Sequence, residues 1–201
     1  MRALLTTTYE SDFVSTEIEK PTPKEGEVLI KIHASGVNPI DNKIRIGVSP
    51  YASPVLPAIL GTDLAGVVEA VGKNVTDFKV GDEVYGLAGG VLGLQGTLAE
   101  YTAVDADLLA VKPKNLSMKE AAAVPLVLLT AWEGLIDRAK VKKAIRFWFM
   151  PEPEVLDTWS YSWPAFLVLM FMRLFLLKKP PSLNHMEQLQ LIIRQQKLKI
   201  M

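Results

Sequence analysis

The chain has 201 residues, 49% of them apolar, and equal numbers of acidic and basic side chains. That is enough to bury one good core, and it leaves no net field of the kind nucleic acid or an anionic membrane would need. There is no cysteine, and the two histidines are His33 and His185, which excludes disulfides and thiolate zinc sites and leaves too few soft ligands for a structural or catalytic zinc.

The opening MRALLTTTYESDF has no apolar run of signal-peptide length, so a cytoplasmic protein without a membrane partner is expected. Residues 1–8 and 13–17 read as short strands, and Pro21, Pro23 and Gly26 turn the chain into the next. There Val28, Ile30 and Ile32 alternate with Leu29, Lys31 and His33, a period of two that predicts a strand with one buried face. His33 shares the polar face with Lys31 and is expected at the surface rather than as a ligand or proton donor.

Residues 35–47, SGVNPIDNKIRIG, lead from a loop into a helix. Taken alone, Asn38 caps a turn before Pro39, and Asp41 and Arg45 form an i,i+4 surface pair worth a few tenths of a kcal/mol. Tyr51 sits in the proline-flanked SPYASPVLP loop, where it either lines a substrate entrance or packs on the rim of the fold.

The most informative stretch is residues 61–86, GTDLAGVVEAVGKNVTDFKVGDEVYG. Val67, Val68, Ala70 and Val71 make a β-branched run bounded by Gly66 and Gly72, and Val84 and Tyr85 follow a break at Gly81, so it reads as strand, long turn, strand. Gly61, Gly66, Gly72, Gly81 and Gly86 are expected where the chain needs positive φ or close backbone approach. The stretch resembles the GHExxGxVxxVGxxVxxxxxGDxV signature of the medium-chain dehydrogenase/reductase superfamily, with Thr62 and Asp63 where zinc-dependent members carry His-Glu. The VNPxD run from Val37 to Asp41 resembles the zinc-independent quinone oxidoreductase branch.

Residues 87–96, LAGGVLGLQG, are a loop: no GK[ST] follows as a P-loop requires, and no strand and helix flank it as a dinucleotide fingerprint requires. Residues 98–104 and 109–111 read as strands and resemble the LAEYxxVxxxxLxxKP end of the family's catalytic domain. Ser117 and Glu120 form an S-x-x-E capping box that starts a helix, interrupted at Pro125. Residues 126–138 restart as an amphipathic helix with Leu128, Trp132 and Leu135 at spacings of four and three, and its LTAW run includes Thr130.

The resemblance is continuous from residue 1 to about residue 143. It implies a mainly β, GroES-like, partly open barrel over residues 1–125 and a helix over 126–143 leading into an α/β cofactor domain. It also implies NADPH as cofactor, a small-molecule quinone or enone as substrate and, in many members, a homodimer. Asn38, Asp41, Arg45, Tyr51 and Thr130 would lie near substrate or nicotinamide; no residue is assigned as catalytic and none as a metal ligand. Without zinc there is no Lewis acid to lower an alcohol's pKa, whereas reduction of a quinone or enone asks mainly for positioning. On its own residues, Thr130 would instead bond the carbonyl four residues back.

At residue 144 the character changes. All 13 glycines precede Lys143 and three of the four tryptophans follow it, where the family has a strand and a Gly-rich pyrophosphate turn. The apolar run 163–177 is short of the roughly 20 residues that cross a bilayer and carries Arg173. A partner-binding amphipathic helix is the other reading of that run, but the run has no polar face to orient it. Residues 144–201 are expected instead to be a frame-shifted translation of the cofactor domain, without a native fold. Shifting the frame lets residues 150–157 encode AGAGGVG and residues 146–150 encode VLVH. Residues 166–176 and 184–193 then permit LGANVYATVS and SYGATAINY, and a chance match to the Gly-rich turn has odds on the order of one in 10⁵. The permitted second strand ends in small neutral residues, which favours NADPH over NADH. As printed, the chain is expected to be truncated and inactive as a hydride-transfer enzyme; a non-catalytic binding module on a GroES-like barrel is the alternative.

Overall fold

The structure, a computed structural model, describes residues 1–49, 52–138 and 140. Tyr51 and the 144–201 tail lie outside the described residues. Two compact units divide the described chain: Met1–Leu126 in the first, and residues 127–138 and 140 in the second.

The first unit is built on two antiparallel sheets. β1 (Arg2–Thr6) lies between β2 (Val14–Glu17) and β4 (Ala58–Ile59). The larger sheet has five strands in the order β7-β3-β5-β6-β8, with β3 Glu27–Ser35, β5 Asp63–Val71, β6 Glu83–Leu87, β7 Tyr101–Asp105 and β8 Ala110–Val111. A bridge from Ala3 to Ala99 and the 2.9 Å bond from Leu4 N to Leu98 O tie β1 to the segment preceding β7. Three helices follow the strands in sequence or interrupt them: α1 Pro39–Arg45, α2 Met118–Ala122 and α3 Pro125–Trp132. No helix among the described residues is long and apolar enough to cross a membrane.

The core is where the alternation puts it. Val28 and Ile30 from β3, Leu64 and Val68 from β5, Val84 from β6 and Val104 from β7 pack with Ala88 and Leu109, each large side chain contributing about 1.5–3 kcal/mol by leaving water. A second cluster, Ile44, Ala52 and Leu60, anchors α1 to the chain ahead of β5.

Two details depart from the pattern. Leu29, expected on the polar face with Lys31 and His33, is 5% exposed, while those two stay at the surface. The β3–β5 register shifts between Leu29 and Ile30 and again between Ile32 and Ala34, and such bulges re-aim side chains and break strict alternation. Gly66, expected to bound a strand, lies inside β5, opposite Ile32 on one side and Val84 on the other. A Cβ there would run into the Lys31 carbonyl and come 2.7 Å from Ile30 Cγ2, so the bulged strand can lie this close only to a glycine.

The start of β6 and the turn after β8 are tied together by a buried lysine. Lys112 is 6% exposed, and its Nζ donates to Pro113 O at 3.1 Å and Leu116 O at 2.6 Å and pairs with Glu83 Oε2 at 3.0 Å. α2 starts at the capping box expected of Ser117 and Glu120: Ser117 N donates to Glu120 Oε2 and Glu120 N to Ser117 Oγ. α3 begins at Pro125, the helix position that best tolerates a missing N–H. Beyond Trp132 the chain continues as a π-helix, Glu133–Arg138, so the expected amphipathic α-helix over 126–138 is not what forms. Four successive apolar residues, 126–129, surround the axis instead of lining one face, and after Trp132 the wider π turn changes the helical period.

Candidate functional site

The polar groups of the first unit converge where β5 begins. Asn38 precedes α1 in extended backbone, with φ −119° and ψ 157°, as the residue before a proline must be. Its backbone N–H donates to Asp41 Oδ2 at 2.7 Å and its carbonyl accepts from Asp41 N at 3.0 Å. The carboxamide turns the other way. Its Nδ2 donates to Thr62 Oγ1 at 3.2 Å and to Asp63 Oδ2 at 2.9 Å.

Asp63, the first residue of β5, is 1% exposed. Both of its carboxyl oxygens accept from Leu126 N at 3.2 Å, so one side chain joins the loop before α1 to the first turn of α3. Ser35 Oγ donates to Asp63 O at 3.1 Å and shares a 2.6 Å hydrogen bond with Thr97 Oγ1. Asn38, Asp41, Thr62 and Thr97 are likewise buried. The apolar wall thus ends in a seam of oxygens and amides.

Burial decides the electrostatics of this seam. Loss of water pushes the Asp63 carboxyl up to about 7, against the Asn38 and Leu126 donors that favour its charge, and the nearby Asp41 raises it further. Burial raises Asp41 too, opposed by the Asn38 amide and by the Thr62 hydroxyl and amide. Thr62 offers Asp41 little at bonding distance: Asp41 Oδ1 is buried and has no hydrogen-bond partner among the described residues. A carboxyl poised near neutrality inside a hydrogen-bonded seam is a group able to hold or release a proton in the working pH range.

The expected surface pair between Asp41 and Arg45 does not form. Asp41 turns inward to Asn38, whereas Arg45 Nη1 donates to Ser11 O at 3.1 Å and its other nitrogens reach Asn42 Oδ1 at 3.4 Å. Of the residues expected near substrate, the seam therefore brings together Asn38 and Asp41 and leaves Arg45 outside. Thr130 is exposed and belongs to the second unit. Gly61 and Gly81 take φ of 96° and 94°, and Gly66 and Gly72 lie where a Cβ would meet backbone carbonyls; of these, Gly61 borders the seam, 2.5 Å from Thr97 Oγ1 to an added Cβ. The sequence pattern gives no site role to Asp63, Thr97, Ser35 or the Leu126 amide. An acidic residue opening an apolar strand was the available signal, because burial there demands partners.

As a zinc site the seam does not fit. Its donors are a threonine, two aspartates and an asparagine, with no sulfur or imidazole, and among the described residues no group of three or more His, Cys, Asp or Glu could hold a metal ion. Both Asp63 oxygens are already engaged by protein N–H groups.

Residues 24–114 match the alcohol dehydrogenase GroES-like domain. The chain is 46% identical over 127 residues to the NADPH-dependent alkenal/one oxidoreductase of Arabidopsis thaliana chloroplasts, covering 61% of this chain and 33% of that protein. To the quinone oxidoreductase of Sus scrofa it is 40% identical over 129 residues, 64% of this chain and 38% of that one. An alcohol dehydrogenase superfamily protein from Novosphingobium aromaticivorans has a crystal structure that superposes with a TM-score of 0.69 at 55% identity, over 71% of this chain and 43% of the other. The N-terminal part of this chain belongs to the quinone oxidoreductase-like branch of the medium-chain dehydrogenase/reductase superfamily. Its first unit is the superfamily's GroES-like fold. The chain spans about a third of the length of the curated relatives it matches.

Proposed function

We propose that residues 1–125 form the substrate-side half of a zinc-independent, NADPH-dependent reductase of quinones or enones. In this reading residues 126–143 lead into the cofactor domain, and residues 144–201 are that domain read in a shifted frame. NADPH, when bound, supplies a hydride to an electron-poor carbon of the acceptor, and a proton from solvent or a weak acid completes the reduction. The work left to this half is to orient the acceptor and keep water from the reacting face.

The observation that carries the reading is the seam at Asn38, Thr62 and Asp63. The position that would hold metal ligands in an alcohol dehydrogenase instead ties a carboxamide between a hydroxyl and a buried carboxyl. Such a seam orients a carbonyl substrate without Lewis-acid chemistry. The relatives' names support the cofactor and the acceptor class, one being NADPH-dependent toward alkenals and enones and the other acting on quinones. All 13 glycines precede Lys143, which leaves residues 144–201 without the Gly-rich turn a pyrophosphate needs, so NADPH binding is assigned to the restored frame.

The test is to express the 201-residue chain beside the product of the frame-restored gene and follow NADPH oxidation with a benzoquinone and with an α,β-unsaturated ketone. Turnover by the restored protein and none by the printed chain is the expected result. A restored protein that folds but oxidises NADPH with neither acceptor overturns the proposal.

A further inference from the structure

Asn38 is held by a partner that can change its hydrogen-bonding sense. An ionised carboxylate accepts and cannot donate, so while Asp63 is charged the Asn38 carboxamide must present Nδ2 to it, as it does at 2.9 Å. The carbonyl end, Oδ1, is then turned away from Asp63, toward the Asp41 N–H that opens α1. Once Asp63 carries a proton, its O–H can donate to Asn38 Oδ1, and Thr62 can turn its hydroxyl from acceptor to donor. The carboxamide can then rotate by half a turn, because the Asp41 N–H keeps its 3.0 Å bond to the Asn38 backbone carbonyl, and the end away from Asp63 becomes the N–H donor. The two orientations are nearly identical in shape and differ only in the hydrogen bonds they satisfy.

We propose that Asp63 is a positioning residue for Asn38, and that the proton on its carboxyl decides whether the carboxamide offers an acceptor or a donor to the substrate. The geometry isolates this pair. From α1 the charged group acting on Asp63 is Asp41, a like charge. β3 faces it with Ser35, Gly36 N just beyond β3 donates to its backbone carbonyl, β6 pairs it with Leu87 and Thr97 completes the seam, none of them ionisable. Lys119 and Glu120 of α2 are exposed. Leu126 N bonds to both oxygens, so the start of α3 senses the same proton.

The consequence for catalysis rests on the function proposed above. Hydride delivery leaves negative charge on the acceptor's oxygen, which a donor stabilises and an acceptor does not, so the protonated seam is the reductive one. A proton taken from solvent is all that the switch consumes.

Side-chain and backbone amide NMR of the ¹⁵N-labelled full chain between pH 5.5 and 8.5 tests the switch without needing turnover. The Asn38 NH₂ pair and the Leu126 amide are expected to shift together, through one midpoint, and Asp63→Asn to abolish both movements. Asp41→Asn, which removes a like charge, is expected to lower that midpoint, and it serves as the discriminating variant if Asp63→Asn does not fold. Signals that stay still across this range, that persist in Asp63→Asn, or whose midpoint ignores Asp41→Asn overturn the proposal. A coupled titration in a frame-restored protein that reduces neither acceptor would overturn the functional reading and leave the switch standing.

Discussion

Leu64 and Val68 in the body of β5 and Asp63 at its first residue are almost equally removed from water, at 0%, 1% and 1% exposure. Leu64 and Val68 join the apolar core, where burial is itself the stabilising term. Asp63 joins Asn38, Thr62 and Leu126, where burial opposes its charge and hydrogen bonds only partly offset the loss of water. One strand therefore carries the fold's support along its length and the candidate site at its start. Asp63 is held in place at some expense of stability, as groups at functional sites commonly are.

Substitutions that probe each part should separate them. The largest effect is expected from Gly66→Ala, because the new methyl meets the Lys31 carbonyl and Ile30 Cγ2 with backbone on one side and core on the other. Urea unfolding should show a loss above about 3 kcal/mol or a chain that does not fold. A loss under 1 kcal/mol would mean that the bulged β3–β5 pair can spread apart.

Leu64→Ala removes a side chain with no exposed surface and is expected to cost about 3 kcal/mol at any pH between 5 and 8. The pH independence is what marks it as core.

Asp63→Asn should do the reverse. The folded chain holds a proton on this carboxyl up to about pH 7, while the unfolded chain releases it near the ordinary aspartate value of about 4. Between those two values the folded state binds more protons, so stability falls as pH rises and levels off above 7. The full difference corresponds to at most about 4 kcal/mol, and asparagine recovers part of it while losing the hydrogen bonds made to the charged form. A gain of about 1–2 kcal/mol at pH 8 that disappears by pH 5 is expected from thermal unfolding. The same variant losing stability at pH 8 would mean that the donors outweigh burial and that Asp63 is ionised at neutrality.

These two parts of β5 also differ in how they could be read beforehand. The strands were legible because alternation and glycine breaks are local, and the helix start at Ser117 because a capping box spans only four residues. Leu29 was misplaced because a bulge is a property of the pairing between β3 and β5 and leaves no mark on β3 alone. The resemblance pointed to Asn38 and noted the replacement at Thr62 and Asp63. The bonds that make a site of them span 24, 25 and 63 residues of sequence, and nothing in the local pattern announces a carboxyl that reaches a helix start that far away. Asp41 and Arg45 show the converse. Their i,i+4 spacing is right for a pair, yet the Asn38 amide and the Ser11 carbonyl take one each.

Lys112 gives this domain a built-in chemical reporter. Amine-directed reagents need a free, accessible ammonium, and this one is 6% exposed and committed to two backbone carbonyls and Glu83. Exposed lysines such as Lys73 and Lys79 label on contact, whereas Lys112 labels only when the segment around β8 opens. Its modification rate, read by mass spectrometry against theirs, therefore measures the opening equilibrium at the end of the five-stranded sheet without a spectroscopic probe having to be introduced.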